Sequence, residues 1–172
     1  MGNRTGRITR LALCAALALV LSYLEAMLPP IYPAVPGIKM GLANVVVIFA
    51  LYRLGIRSAI CVSVLRLSMM TLLFGNVMVL LYSVAGATLS LCVMALLKKT
   101  DWFSPVGVSV AGGVCHNLGQ ILLAMVILQT KAIGYYFPVL AVTGTVAGIL
   151  VGLLGVYLMN KVGDLAERGG EV

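Results

Sequence analysis

The chain has 172 residues, 62% of them hydrophobic and 10% charged, with a formal net charge of +7 and a mean hydropathy of +1.11. Soluble domains carry about 25% charged residues, so this composition excludes a soluble enzyme or binding module and describes an integral membrane protein. About six spans of roughly 20 residues fill the length. Function must therefore reside in the helices and their short connections.

The apolar runs, read against their breakers, predict an all-α, six-helix bundle with helices at 8–28, 40–54, 56–74, 76–97, 105–129 and 135–160. The first run follows Arg4, Arg7 and Arg10, as a signal peptide would. It is longer than a usual h-region, however, and no small-residue cleavage site precedes Pro29-Pro30, so a retained helix is expected. Pro29, Pro30, Pro33 and Pro36 mark the first loop, Gly55 and Gly75 separate the next helices, Pro105 opens the fifth, and Gly134 and Pro138 flank the start of the sixth. The second helix is short, as a span emerging from an irregular loop would be. Gly148, Gly152 and Gly155 in the sixth have the overlapping small-residue spacing that permits close helix contact.

Cys14, Cys61, Cys92 and Cys115 all fall inside apolar runs without CxxC spacing. They read as small buried residues rather than as a disulfide framework or metal ligands. No metal and no cofactor are expected.

With the N-terminus inside, Arg4, Arg7, Arg10, Arg53, Arg57, Lys98, Lys99, Lys161 and Arg168 all fall on the cytoplasmic side, against Lys39 and Lys131 outside and Arg66 within a span. The positive-inside rule then places both termini in the cytoplasm. Topology and lipid contact account for the net charge, which does not argue for nucleic acid. At about 1.5 Å of rise per residue, Glu25, Lys39, Asn44 and Asn76 lie towards the outer ends of their helices, Arg66 lies near mid-depth, and His116, Asn117 and Gln120 run from the middle of the fifth helix outward. The expectation is a pocket open to the outside that gathers these polar residues.

Within that set, the stretch Pro36-Gly37-Ile38-Lys39-Met40-Gly41-Leu42-Ala43-Asn44 takes a proline-rich loop directly into a helix, with a lysine at the mouth and an asparagine one turn in. Lys39 either snorkels to headgroups or meets a ligand, with Gly37 and Gly41 allowing close backbone approach. A charge at the depth of Arg66 costs on the order of 3 kcal/mol unless paired or hydrated. It either pairs with Glu25, the only acid within a span, or receives an anionic group. His116, Asn117 and Gln120 are helical neighbours that serve either a helix-to-helix hydrogen bond or a ligand. Tyr32, Tyr135, Tyr136 and Phe137 fit an interfacial aromatic belt. Ala12 and Ala16 form an AxxxA pattern at the opposite end of the first helix, where a second helix could approach closely.

No GxxxxGK[ST] phosphate loop occurs, and no acidic pair is placed to hold magnesium on a diphosphate. Independent catalysis is therefore not expected.

The PGIKMGLAN stretch, the Arg66 helix ending Leu72-Leu73-Phe74-Gly75, and His116-Asn117-Leu118-Gly119-Gln120 together resemble the small bacterial membrane proteins of the Gx transporter family, also labelled heptaprenyl diphosphate synthase component I. That family in turn resembles the substrate-binding S components of energy-coupling factor transporters. The resemblance implies an external pocket for a vitamin, cofactor or precursor, with Lys39, Asn44, Arg66, Asn76, His116, Asn117 and Gln120 near the substrate. It also implies contact of Ala12 and Ala16 with a transmembrane coupling subunit that two cytoplasmic ATPases energise. The excess of cations over Glu25 suits an anionic or flavin-like ligand. The synthase label implies instead a non-catalytic membrane subunit of a prenyl diphosphate synthase. A third class, a non-transporting assembly or electron-transfer scaffold, has no recognisable redox-centre ligands in its favour.

Overall fold

The computed structural model describes residues 2–27, 41–74 and 77–168, with side chains placed for 5–25, 27, 41–73 and 77–162. These residues form α1 (Gly2–Met27), α2 (Asn44–Arg53), α3 (Ile56–Phe74), α4 (Val77–Thr100), α5 (Pro105–Ile127) and α6 (Phe137–Arg168), with a 3-10 segment at Lys131–Tyr136 leading into the last. All but α2 contain stretches long and apolar enough to cross a membrane.

Local chemistry sets the helix ends. Gly41 has φ +73°, a left-handed conformation that an L side chain adopts only with strain. The second helix therefore starts at Asn44 rather than at 40, and its predicted first turn is instead a glycine-led approach. Gly55, at φ +89°, reverses the chain between α2 and α3. The Ser104 hydroxyl accepts from Gly107 N at 3.2 Å, and Pro105 occupies the first turn of α5, where no amide donor is needed. Pro138 holds the same place in α6, so the start predicted at 135 falls within the 3-10 segment. The first helix begins well before residue 8, and the fourth continues past 97 to Thr100.

The short α2 forms the centre. Val45, Val46, Val47, Ile48, Ala50 and Leu51 are buried around its whole circumference, the pattern of a core helix rather than a surface one. It packs against α1, α3 and α6. Its C-terminal end is tied down by basic side chains: Lys98 Nζ donates to Leu51 O at 2.6 Å and lies 4.9 Å from the Tyr52 ring centroid, while Arg53 Nη2 donates to Met159 O at 2.5 Å. Cations at a helix C-terminus complement its dipole as well as its orphan carbonyls.

Around this centre the bundle has two unlike sides. On one side α5 lies between α4 and α6 at backbone distance. A Cβ at Gly148 would come 2.6 Å from Val110 Cα, and one at Gly119 would come 2.7 Å from the Ala85 carbonyl oxygen. Spanning helices gain little from apolar burial alone, so such close approach is a main source of their packing energy. On the other side α1 meets α3 along one stripe, Cys14, Ala18, Ser22 and Glu25, all buried. Ala12, Leu13, Ala16, Leu17, Val20 and Leu24 of α1 are exposed, while Leu11 and Leu21 are partly buried against the core.

Candidate functional site

A cavity of about 290 Å³ lies among α2, α4, α5 and α6. The start of α2 gives it Gly41, Asn44 and Ile48; α4 gives Ser90 and Met94; α5 gives Ser109, Gly112, Gly113, His116 and Asn117; α6 gives a run from Val142 to Val151 that includes Thr143, Gly144 and Gly148. The space exists because these helices meet through small residues. At Gly112 a Cβ would lie 2.6 Å from Met94 Sδ and 3.2 Å from Ser90 Oγ, so even an alanine there would intrude on neighbours that line the cavity.

Its polar groups are held in place by helix backbone, of a neighbouring helix for Asn117 and of its own helix for Thr143. Asn117 Nδ2 donates to Leu140 O at 2.7 Å, and Thr143 Oγ1 donates to the same carbonyl at 3.0 Å. His116 hydrogen-bonds through its ring to the Gly86 backbone. That contact depends on the glycine, since a Cβ there would come 2.9 Å from the imidazole Cε1 and 2.8 Å from His116 O. Of the two roles open to His116 and Asn117, the helix-to-helix bond is therefore present, and both residues also face the cavity. Asn44 stands at the other wall, its Nδ2 against Gly41, where a Cβ would approach to 2.9 Å.

Arg66 does not line this cavity. Arg66 lies between α3 and α1, with Nη1 3.5 Å from Ser22 Oγ and within electrostatic reach of Glu25 and His116. Its Nε is buried and has no hydrogen-bond partner among the described residues. Glu25, 8% exposed, accepts from Gly41 N, so one carboxylate serves both the cation of α3 and the approach to α2. Arg66 is not among the residues that line the cavity, and neither is Gln120 of α5. Lys39 and Asn76 lie outside the described residues, as does Tyr32. Asn44, His116 and Asn117 are thus the predicted site residues that one cavity brings together.

Ser90, Ser109 and Thr143 were not singled out by the sequence reading, although they add hydroxyls to the same space. Their signal was weak, because hydroxyl residues in membrane helices commonly satisfy themselves on their own backbone. No described side chain lining the cavity carries a fixed charge. Among the described residues no group of three or more His, Cys, Asp or Glu is placed to hold a metal ion.

A family model described as heptaprenyl diphosphate synthase component I matches residues 14–158. The chain belongs to that family. The match runs from the buried stripe of α1 to the last turns of α6 and so takes in every helix that contributes to the cavity. No curated protein and no solved structure matches the chain.

Proposed function

We propose that this component I family member is the ligand-capturing membrane subunit of a larger assembly, in the manner of an S component. It would hold a vitamin, cofactor or precursor among α2, α4, α5 and α6 and pass it on through a transmembrane coupling subunit energised by two cytoplasmic ATPases. The observation that carries the proposal is the cavity itself. At about 290 Å³ it is near the lower end of small-molecule sites, and like them it is mostly apolar with a few convergent polar groups. The excess of basic residues at one end of the bundle supports putting both termini and the ends around Arg53 and Lys98 in the cytoplasm. The Ala12 and Ala16 side of α1 then lies towards that face, available to the coupling subunit.

The test is native mass spectrometry of the gently purified protein, with Asn44→Leu as the comparison. A co-purified small molecule, lost or at least tenfold depleted in the variant, is the expected result. A folded protein that carries no ligand under any lipid or detergent condition, and takes none up in transport assays, would refute the proposal.

The family description supports a second reading, a non-catalytic membrane subunit of a heptaprenyl diphosphate synthase. It predicts that adding the chain to a catalytic synthase subunit changes the rate or length of prenyl products. Product profiles unaffected by the chain would dismiss it.

A further inference from the structure

The residues at the rim of the cavity say how a ligand gets in. Val142, Val146 and Leu150 all line it, yet they are 63%, 53% and 53% exposed. A side chain that faces a cavity and the exterior together marks an opening. These residues follow at i, i+4 and i+8 down one side of α6, about 7 to 20 Å along the helix from Phe137 at 1.5 Å per residue. In a hydrocarbon layer about 30 Å thick, that stretch lies within the lipid rather than at the headgroups.

The hydrogen-bonding groups inside say what kind of head the ligand carries. The His116 ring gives its N–H to the Gly86 carbonyl, which leaves the second ring nitrogen as an acceptor. Asn117 donates through Nδ2 to Leu140 O, and Thr143 donates its hydroxyl hydrogen to the same oxygen, so Asn117 Oδ1 and Thr143 Oγ1 are also left to accept. None of these three atoms has a donor among the described residues. Ser90 and Ser109 can serve either way. A phosphate or carboxylate would bring further acceptors to acceptors, with no cation lining the cavity among the described residues; a cationic head would find no acid lining it among them, at a depth where an unpaired charge is costly. What complements the site is an uncharged group with a hydrogen to donate.

We propose that the cavity opens to the bilayer along α6 and takes a membrane-dissolved, uncharged alcohol or phenol, whose hydroxyl donates its single hydrogen to the free His116 ring nitrogen or to Asn117 Oδ1 while its apolar chain leaves past Val142, Val146 and Leu150. This rests on the reading of the cavity as a ligand site and narrows the ligand class from the anionic one that Lys39 and Arg66 suggest by sequence.

The experiment uses the full chain in lipid nanodiscs with three probes: farnesol, farnesyl diphosphate and riboflavin. The first two share an apolar chain and differ in the charge of the head, whereas the third is water-soluble. Two tryptophan variants accompany them, Val146→Trp at the opening and Val139→Trp, at a position 52% exposed on α6 but outside the cavity lining. Farnesol is expected to bind at least tenfold more tightly than its diphosphate, with binding at least tenfold weaker in Val146→Trp and unchanged in Val139→Trp. Absence of farnesol binding, diphosphate binding as tight as the alcohol, or equal effects of the two tryptophans would each overturn the proposal. Riboflavin held in the cavity, sensitive to Asn44→Leu and indifferent to Val146→Trp, would also overturn it while leaving the ligand-capturing reading standing.

Discussion

The two sides of the bundle solve the same problem with opposite chemistry. Where α5 meets α4 and α6, the helices touch through glycine, and the polar side chains include His116, Asn117 and Thr143, which carry no fixed charge and bond to helix backbone. Where α1 meets α3, the contact carries a guanidinium, a carboxylate and a serine hydroxyl. The first side is tight at the backbone and still encloses a cavity. The second contributes no residue to that cavity. The costliest polar groups in a membrane helix are thus not always the ones that line a cavity: here they join α1 to α3 and, through Glu25 and Gly41, to the start of α2.

The largest effect is expected where charge is removed from the second side. Arg66→Met takes away the buried cation that interacts electrostatically with Glu25, and leaving a buried charge without its counter-charge costs about 3 kcal/mol or more. The double variant with Glu25→Gln should regain part of that loss, as measured by thermal unfolding in one fixed detergent. Ligand affinity in the folded fraction should change less than in Asn44→Leu. The reverse order would move Arg66 into the site and erase the distinction between the two sides.

On the glycine side, Gly148→Leu sets a side chain against Val110 Cα, where a Cβ alone would lie at 2.6 Å. Since backbone and not a flexible side chain is in the way, overpacking of about 1–3 kcal/mol is expected, together with reshaping of the cavity. The same scan should show both a lower unfolding temperature and weaker ligand binding. Stability lost with binding intact would show that the seam and the cavity are independent. A smaller loss, about 1 kcal/mol, is expected for Asn117→Leu, which deletes one interhelical hydrogen bond of the strength usual in membrane proteins.

The contrast between the sides was only half legible in the sequence. Apolar runs and their breakers located the helices, and the third was placed at 56–74 as observed. The start of α2 was missed because nothing in the one-letter pattern says that Gly41 takes a left-handed conformation. Asn44, His116 and Asn117 stood out as polar residues in apolar helices, and they do line one cavity. Grouping Arg66 with them relied on depth, and adding Gln120 relied on its helical spacing from His116 and Asn117. Counting residues gives height along a helix axis but not the direction a residue faces within the bundle, and direction is what puts Arg66 beside Ser22 instead of Asn44. The expectation of an anionic ligand came from that same grouping, so it weakens once the cation is found on the other side.

The smallest effect on the fold, and the sharpest on function, is expected at the outer face of α1. Ala12 and Ala16 are exposed, while the stripe from Cys14 to Glu25 carries the contacts of this helix with the rest of the bundle. Tryptophan at either alanine therefore starts from an exposed position, and exposed substitutions usually change stability by less than about 0.5 kcal/mol. Ligand binding should also be untouched, since α1 gives no residue to the cavity. If the alanines are where a coupling helix approaches, the added bulk keeps that helix away, so Ala12→Trp and Ala16→Trp should lose ligand uptake in cells while binding in nanodiscs stays at the parent level. The comparison must be made on one preparation for both readouts. Uptake and binding lost together would assign these alanines to the internal support of the α1 and α3 side, and uptake preserved with binding would leave the outer face of α1 to lipid alone.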